Sequence, residues 1–247
     1  MDILDILFPK SCVICSKHGD YLCNRCKKLF KKSLPECYRC RKISPNYLTH
    51  KKCAKISSLD SVAVLWEYNE LSSTVLKKYK YGGVLDIEDT FLELIERRLN
   101  EVKESIILGS KTLVSPVPIS KNRFRERGFN QTEKIAKMIS KETNRPLMID
   151  LVMRKNSDSI HQSLLSKEER LFHKEGFFIP NGNLLKGITD ILVIDDVITT
   201  GSTLEQITKC IKEVDPKISV KSICIFRGKP FYKKEREARS LPLNQRN

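Results

Sequence analysis

The stretch Ile191–Leu204, I-L-V-I-D-D-V-I-T-T-G-S-T-L, decides the fold of this chain. Ile191, Leu192, Val193 and Ile194 form a continuous apolar run, the pattern of a strand buried on both faces of a parallel sheet. Asp195 and Asp196 stand at the carboxyl end of that strand. Thr199, Thr200, Gly201, Ser202 and Thr203 follow as a turn of small, mostly hydroxylated residues. Leu204, Ile207, Cys210, Ile211 and Val214 then recur at helical spacing. In an open α/β sheet, ligands bind beyond the carboxyl ends of the strands. A glycine-containing loop entering a helix offers unpaired N–H groups to an anion. The hydroxyls add donors, and the carboxylates accept from a sugar diol. Together these residues describe a site for a phosphorylated ribose. The simpler alternative is a plain strand–loop–helix with a serine cap and solvated acids. It leaves many compatible residues in one 14-residue window to coincidence.

Outward from this segment, strands alternate with helices. Ser61–Tyr68, Leu113–Ile119, Leu147–Met153 and Ser219–Phe226 read as strands. Leu71–Tyr79, Ile87–Val102 and Gln131–Glu142 read as helices. This alternation predicts a mainly parallel α/β sheet flanked by helices. The strand ending in Pro116-Val117-Pro118 must finish at a sheet edge or in a loop. Cys210 and Cys224 fall in helical and strand patterns and read as small core residues.

Three further segments carry polar residues that packing does not require. Val117–Gln131 reads as a basic loop between a strand and a helix, with Lys121, Arg123, Arg125 and Arg127 before Gly128. Guanidinium forks suit bidentate phosphate contacts. Arg154–Arg170, which includes His161 and Gln162, is long, polar and glycine-free, the composition of a mobile lid followed by a short helix. Lys77–Gly83 follows a helix. There Lys80 either brings an ammonium to a pyrophosphate or compensates the helix dipole.

Seven of the nine cysteines lie in the first 53 residues, paired as Cys12-x-x-Cys15, Cys23-x-x-Cys26 and Cys37-x-x-Cys40, with His50-x-x-Cys53 as a fourth pair. Four ligand pairs fill two tetrahedral zinc sites. Disulfides fit less well, since the count is odd and the opening M-D-I-L-D-I-L-F-P-K lacks the basic region of a secretory signal. Redox C-x-x-C and iron–sulfur readings rank below structural zinc. Spacing leaves open whether the pairs combine sequentially or cross-braced. Residues 1–58 have too few apolar side chains to fold without metal.

The net charge of +15 is unevenly placed. Residues 1–58 carry 13 Lys/Arg against 4 Asp/Glu, 59–226 carry 25 against 24, and 227–247 carry 7 against 2. Basic ends on a neutral body point to an anionic macromolecule such as single-stranded DNA, or simply to a solubilising surface. Tyr38 and Phe30, set among the head's lysines and arginines, either stack on bases or pack beneath the metal sites. The head is thus a nucleic-acid-binding ribbon or a structural cap. No run of 18 apolar residues exists, so no membrane span is expected and the reading is cytoplasmic. The expected organisation is a head over 1–58, a catalytic body over 59–228 and a basic, poorly ordered tail over 229–247.

The 191–204 segment resembles the phosphoribosyl pyrophosphate (PRPP) signature of type I phosphoribosyltransferases. That resemblance implies that Asp195 and Asp196 hold the ribose hydroxyls while Thr199, Thr200, Gly201, Ser202 and Thr203 cradle the 5′-phosphate. The chain to about Arg227 resembles the ComF family. The likeness rests on the cysteine pairs, K-Y-G-G at Lys80–Gly83, S-P-V-P at Ser115–Pro118, R-G-F-N-Q at Arg127–Gln131, then Gln162, Glu169-Arg170, Phe177 and the D-D-V-I-T-T-G-S-T run. It departs at Ser115, where the family more often has valine, at His173, where it usually has asparagine, and at His50, which replaces a cysteine. The resemblance implies a type I phosphoribosyltransferase fold with a small N-terminal zinc-ribbon domain. It further implies PRPP as ligand with magnesium, Arg123, Arg125 and Arg127 facing pyrophosphate, and partners among DNA-uptake proteins in natural transformation. Without transferase activity, the same residues make a PRPP- or nucleotide-sensing accessory protein that binds single-stranded DNA.

Overall fold

A computed structural model describes residues 10–81, 86–154 and 176–229. Its elements are α1 (Asn24–Lys27), β1 (Ser61–Glu67), α2 (Glu70–Tyr81), α3 (Asp86–Val102), β2 (Thr112–Pro116), α4 (Lys121–Arg127) and α5 (Gln131–Thr143). β3 (Met153–Arg154), β4 (Phe177–Phe178), β5 (Asp190–Ile198), α6 (Ser202–Val214) and β6 (Ser219–Arg227) follow. The sheet order is β1-β6-β5-β2 and every pairing is parallel. Apolar runs give both sheet faces a core. In β5, Ile191 and Val193 pack into one cluster and Leu192 and Ile194 into the other. Leu76 of α2, Phe91 and Ile95 of α3, and Ile135 and Ile139 of α5 cover one face. Leu204, Ile207 and Ile211 of α6 cover the opposite face. The chain therefore leaves β2 and its neighbour β5 toward opposite faces, which opens a crevice at their carboxyl ends.

Two segments differ from their sequence reading. The basic segment 121–127 is a short helix. Ser120 Oγ accepts from the Arg123 N–H at 3.4 Å, and Gly128, at φ +77°, closes it by donating to the Phe124 carbonyl at 2.7 Å. The strand expected over 147–153 shrinks to one parallel bridge between Leu147 and Val114 at the outer edge of β2. Exposed Asp150 breaks the run, because a buried strand has no place for an unpaired carboxylate. Met153–Arg154 then pairs antiparallel with Phe177–Phe178 in a separate two-stranded sheet.

The head is seated on the body. Residues 31–33 run antiparallel along the outer edge of β1. Ser33 N–H donates to the Leu65 carbonyl at 3.1 Å, and Glu67 N–H to the Lys31 carbonyl at 2.9 Å. This covers an edge that would otherwise present unpaired backbone groups. Phe30 packs against Trp66 and Phe226, with ring centroids 5.7 and 6.1 Å away. Buried Arg98 reaches from α3 to the carbonyls of Leu65 and Ser33. Buried Arg227 donates to the Tyr38 carbonyl at 3.2 Å and pairs with Glu36. Phe30 and Tyr38 are only 6% and 3% exposed, so they are packing residues and not stacking platforms for bases. Among the described residues no helix is long and apolar enough to cross a membrane. The expected lid beyond Arg154, including His161 and Gln162, lies outside the described residues, as does His173 after it. So do Gly82, Gly83 and the tail after Lys229.

Candidate phosphoribosyl site and metal clusters

A cavity of about 220 Å³ lies at the carboxyl ends of β2 and β5. The segment just past β2 brings Val117, Pro118 and Ile119, and β5 brings Asp195, Asp196 and Val197. Helix α4 supplies Arg123 and Arg127, the start of α5 supplies Gln131 and Thr132, the start of α6 supplies Thr203, and β3 supplies Arg154. Because 121–127 is helical, Arg123 and Arg127 stand one turn apart on one face, and Arg125 falls on another. Arg125 is exposed and does not line the cavity. Arg127 is fixed in place. One guanidinium arm donates to Gln131 Oε1 at 2.9 Å, the other to the Tyr81 hydroxyl at 2.5 Å, and its plane covers the Tyr81 ring at 4.6 Å.

The turn after β5 is shaped by Gly201, which sits in the left-handed region at φ +84° as the N-cap of α6. No cap side chain satisfies the first-turn N–H groups, apart from Thr200 Oγ1 accepting from Ser202 at 3.4 Å. Thr199, Thr200 and Ser202 are exposed beside this open helix end, whereas Gly201 is buried. The open N–H groups and the helix dipole favour an anion there.

The two acids differ. Asp196 is paired with Lys80, which reaches the cleft from the last turn of α2. Asp195 accepts from the Asp196 N–H at 2.8 Å. Burial first, and the neighbouring Asp196 charge second, push the Asp195 carboxyl up to about 7, against the opposing pull of Lys80. Acceptors for a diol thus lie between an anion-receptive helix end and a pair of guanidiniums. Sequence reasoning missed Gln131, Thr132 and Arg154 as lining residues. Thr132 carries no distinguishing signal, and Arg154 reads as the start of a lid whereas it ends the short hairpin strand.

In the head, the ligand atoms of Cys12, Cys15, Cys23 and Cys26 lie within 4.8 Å of one another, as do those of Cys37, Cys40, His50 and Cys53. The pairs therefore combine sequentially. The Cys15 and Cys23 sulfurs are 3.7 Å apart. Zinc–sulfur bonds of roughly 2.3 Å in a tetrahedron require about 3.8 Å. His50 Nε2 lies 3.2 Å from the Ile43 carbonyl, to which it donates, and Nδ1 is left for a metal beside Cys40, 3.3 Å away. Both clusters fit a structural ion such as zinc.

Residues 133–242 match the family model of the phosphoribosyl transferase domain. The chain is 27% identical over 201 residues to Competence protein F of Haemophilus influenzae, covering 81% of this chain and 86% of that one. It is 30% identical over 164 residues to Competence protein ComFC of Bacillus subtilis, covering 66% and 63%. It is 25% identical over 227 residues to Competence protein ComFC of Streptococcus pneumoniae, covering 90% and 94%. The chain belongs to the ComF family. This ComF-family protein has the type I phosphoribosyltransferase fold, a mainly parallel sheet flanked by helices, with a small N-terminal head whose two clusters could bind zinc.

Proposed function

We propose that this ComF-family protein binds PRPP and acts as a phosphoribosyltransferase-like protein in natural transformation, a reading supported by relatives that are named competence proteins. One observation carries the reading. Asp195 and Asp196, the uncapped start of α6, and the Arg123–Arg127 pair meet around a single cavity. In this reading the acids accept from the ribose 2′- and 3′-hydroxyls, and residues 199–203 hold the 5′-phosphate. Arg123, Arg127 and Lys80 face the pyrophosphate, and Arg125 stands outside this set. Magnesium, bound through PRPP oxygens, supplies charge compensation for the leaving group. Transfer breaks the bond between the anomeric carbon and pyrophosphate, which departs with the electron pair as the acceptor bonds to carbon. The residues contribute by positioning and electrostatics.

Zinc in both clusters and a cytoplasmic location belong to the same proposal. Reducing compartments keep thiols available as ligands, and no disulfide joins any two of the nine cysteines. Elemental analysis of the chelator-free protein is expected to give two zinc ions per chain. A value near one removes one cluster from the proposal. Replacing both acids, Asp195→Asn with Asp196→Asn, keeps volume and removes charge. Calorimetry is then expected to show PRPP binding weakened at least tenfold, about 1.4 kcal/mol. Unchanged affinity in the folded double variant would sink the assignment.

A second reading, a PRPP sensor that binds single-stranded DNA, is favoured by the head's surface. Lys28, Lys31, Arg39, Lys42, Lys51, Lys52 and Lys55 are all exposed. With the aromatics buried, such binding is electrostatic and falls steeply with salt. Fluorescence anisotropy at two salt concentrations on Lys51→Glu with Lys52→Glu tests it. Unchanged, salt-insensitive binding leaves the enzyme reading alone.

A further inference from the structure

We infer that Tyr38 is a positioning residue that makes the second cluster part of the phosphate loop, so that binding of a 5′-phosphorylated ribose and retention of metal at that cluster are linked. The inference rests on the PRPP reading above. Tyr38 lies between the ligands Cys37 and Cys40, and its side chain leaves the head. A Cβ built on Gly201 would come 2.9 Å from the Tyr38 ring, so the ring is the surface on which the loop rests. The Tyr38 hydroxyl donates to Glu205 and shares a hydrogen bond with Ser57. The other Glu205 oxygen accepts from the Ser58 N–H at 3.0 Å. Glu205 is the acidic residue in the first turn of α6. A carboxylate there is drawn to the helix N-terminus and competes with phosphate for it. The head binds both of its oxygens and turns it away.

The second side of the loop is held from the same knuckle. Arg41 donates to the Gly228 carbonyl at 3.1 Å, and a Cβ on Gly228 would come 2.9 Å from Thr199 Cγ2. Arg41 N–H itself donates to the Cys37 carbonyl at 2.9 Å, inside the loop that the ligands close. Thr199, Gly201 and Glu205 thus depend on the backbone course of residues 37–41, which metal ligation fixes. Two ligands that order one element bind cooperatively, and the coupling is reciprocal.

The test uses full-length, metal-loaded protein, with ribose 5-phosphate and pyrophosphate as probes for the two halves of the cleft. Calorimetry is expected to show that Tyr38→Ala weakens ribose 5-phosphate at least tenfold and leaves pyrophosphate within twofold, with Tyr38→Phe between. A general loss of stability would lower both. In the wild type, saturating ribose 5-phosphate is expected to slow release of one of the two metal ions to a chromogenic chelator at least threefold. Tyr38→Ala is expected to abolish that difference. If folded Tyr38→Ala binds ribose 5-phosphate like the wild type, or metal release ignores the ligand, the inference is wrong. If Tyr38→Ala does not fold, Tyr38→Phe decides by the same two readouts. If the wild type binds neither probe, the PRPP reading falls. Hydrogen exchange at Thr200–Glu205 in the ligand-free protein then decides the packing. Faster exchange in Tyr38→Phe supports it, and unchanged exchange overturns it.

Discussion

The two clusters of the head are neighbours in sequence and attach to the body by different chemistry. The first, Cys12 to Cys26, is continuous with an apolar interior in which Leu22 and Phe30 meet Trp66, Phe91 and Phe226. The second, Cys37 to Cys53, buries Tyr38 and Tyr47 but is joined to the body, with flanking Glu36 and Ser58, by a set of directional contacts: the Tyr38 hydroxyl and carbonyl, Arg41, Glu36 with Arg227, and Ser58. Apolar contact is additive and tolerant of small shifts, so the first cluster sets stability. Hydrogen bonds to one loop demand geometry, so the second sets the shape of the site.

The largest effect is expected from removing both. Deleting residues 1–58 exposes the edge of β1 together with Trp66 and Phe226, and the truncated body is expected to aggregate on size-exclusion chromatography. A soluble monomer that binds PRPP would show the head to be dispensable. Phe30→Ala separates the clusters. Loss of a buried phenyl group costs about 3–5 kcal/mol, roughly 10 °C in Tm for a domain of this size. Ribose 5-phosphate affinity at a temperature where the variant is folded is expected to stay within twofold. A tenfold fall would erase the distinction between stability and site geometry.

A smaller effect concerns the acids. In the ligand-free protein the folded state holds the Asp195 proton up to about 7, while the unfolded chain releases it near 3.8. This group's stabilising contribution is complete below about 3.8 and fades as pH rises through 7. Diol binding needs the ionised acceptor, so ribose 5-phosphate affinity is expected to rise through pH 7. Asp196→Asn removes a neighbouring charge and is expected to move that midpoint down. A midpoint that stays put would mean the titration belongs to the phosphate. The smallest effect is on the pyrophosphate side, where Arg127 is held by Gln131 and Tyr81 and not by the second cluster. Arg123→Ala is expected to weaken pyrophosphate binding about tenfold and Arg125→Ala less than twofold. Equal losses would return all three arginines to one set.

The parts of the fold legible in the sequence are those governed by short-range periodicity. The apolar run 191–194, the acids behind it and the helical spacing from Leu204 specify β5, its loop and α6 within a few residues. The C-x-x-C pairs specify ligands the same way, because a tight turn is local. What was not legible depended on distant partners. Tyr38 and Phe30 look like exposed aromatics among lysines until Gly201 and Phe226, 163 and 196 residues further along the chain, are packed against them. Sequential pairing of the clusters is a property of the folded head. The helix at 121–127 is a different kind of miss, since its capping serine and terminal glycine stand in the sequence. A run of basic residues obscured them, and with them the separation of Arg125 from Arg123 and Arg127.

The position of β6 has a consequence for synthesis. The last of the described strands to leave the ribosome lies between β1 and β5, so β1 emerges about 160 residues before β6, its parallel neighbour among the described strands. At about 5–20 residues per second that interval is on the order of 10–30 s. During it, the chain already made offers β1 a partner in residues 31–33. A head that folds around metal as it emerges therefore shields a nascent hydrophobic strand from neighbouring chains, and metal supply during translation bears on yield before any ligand is bound.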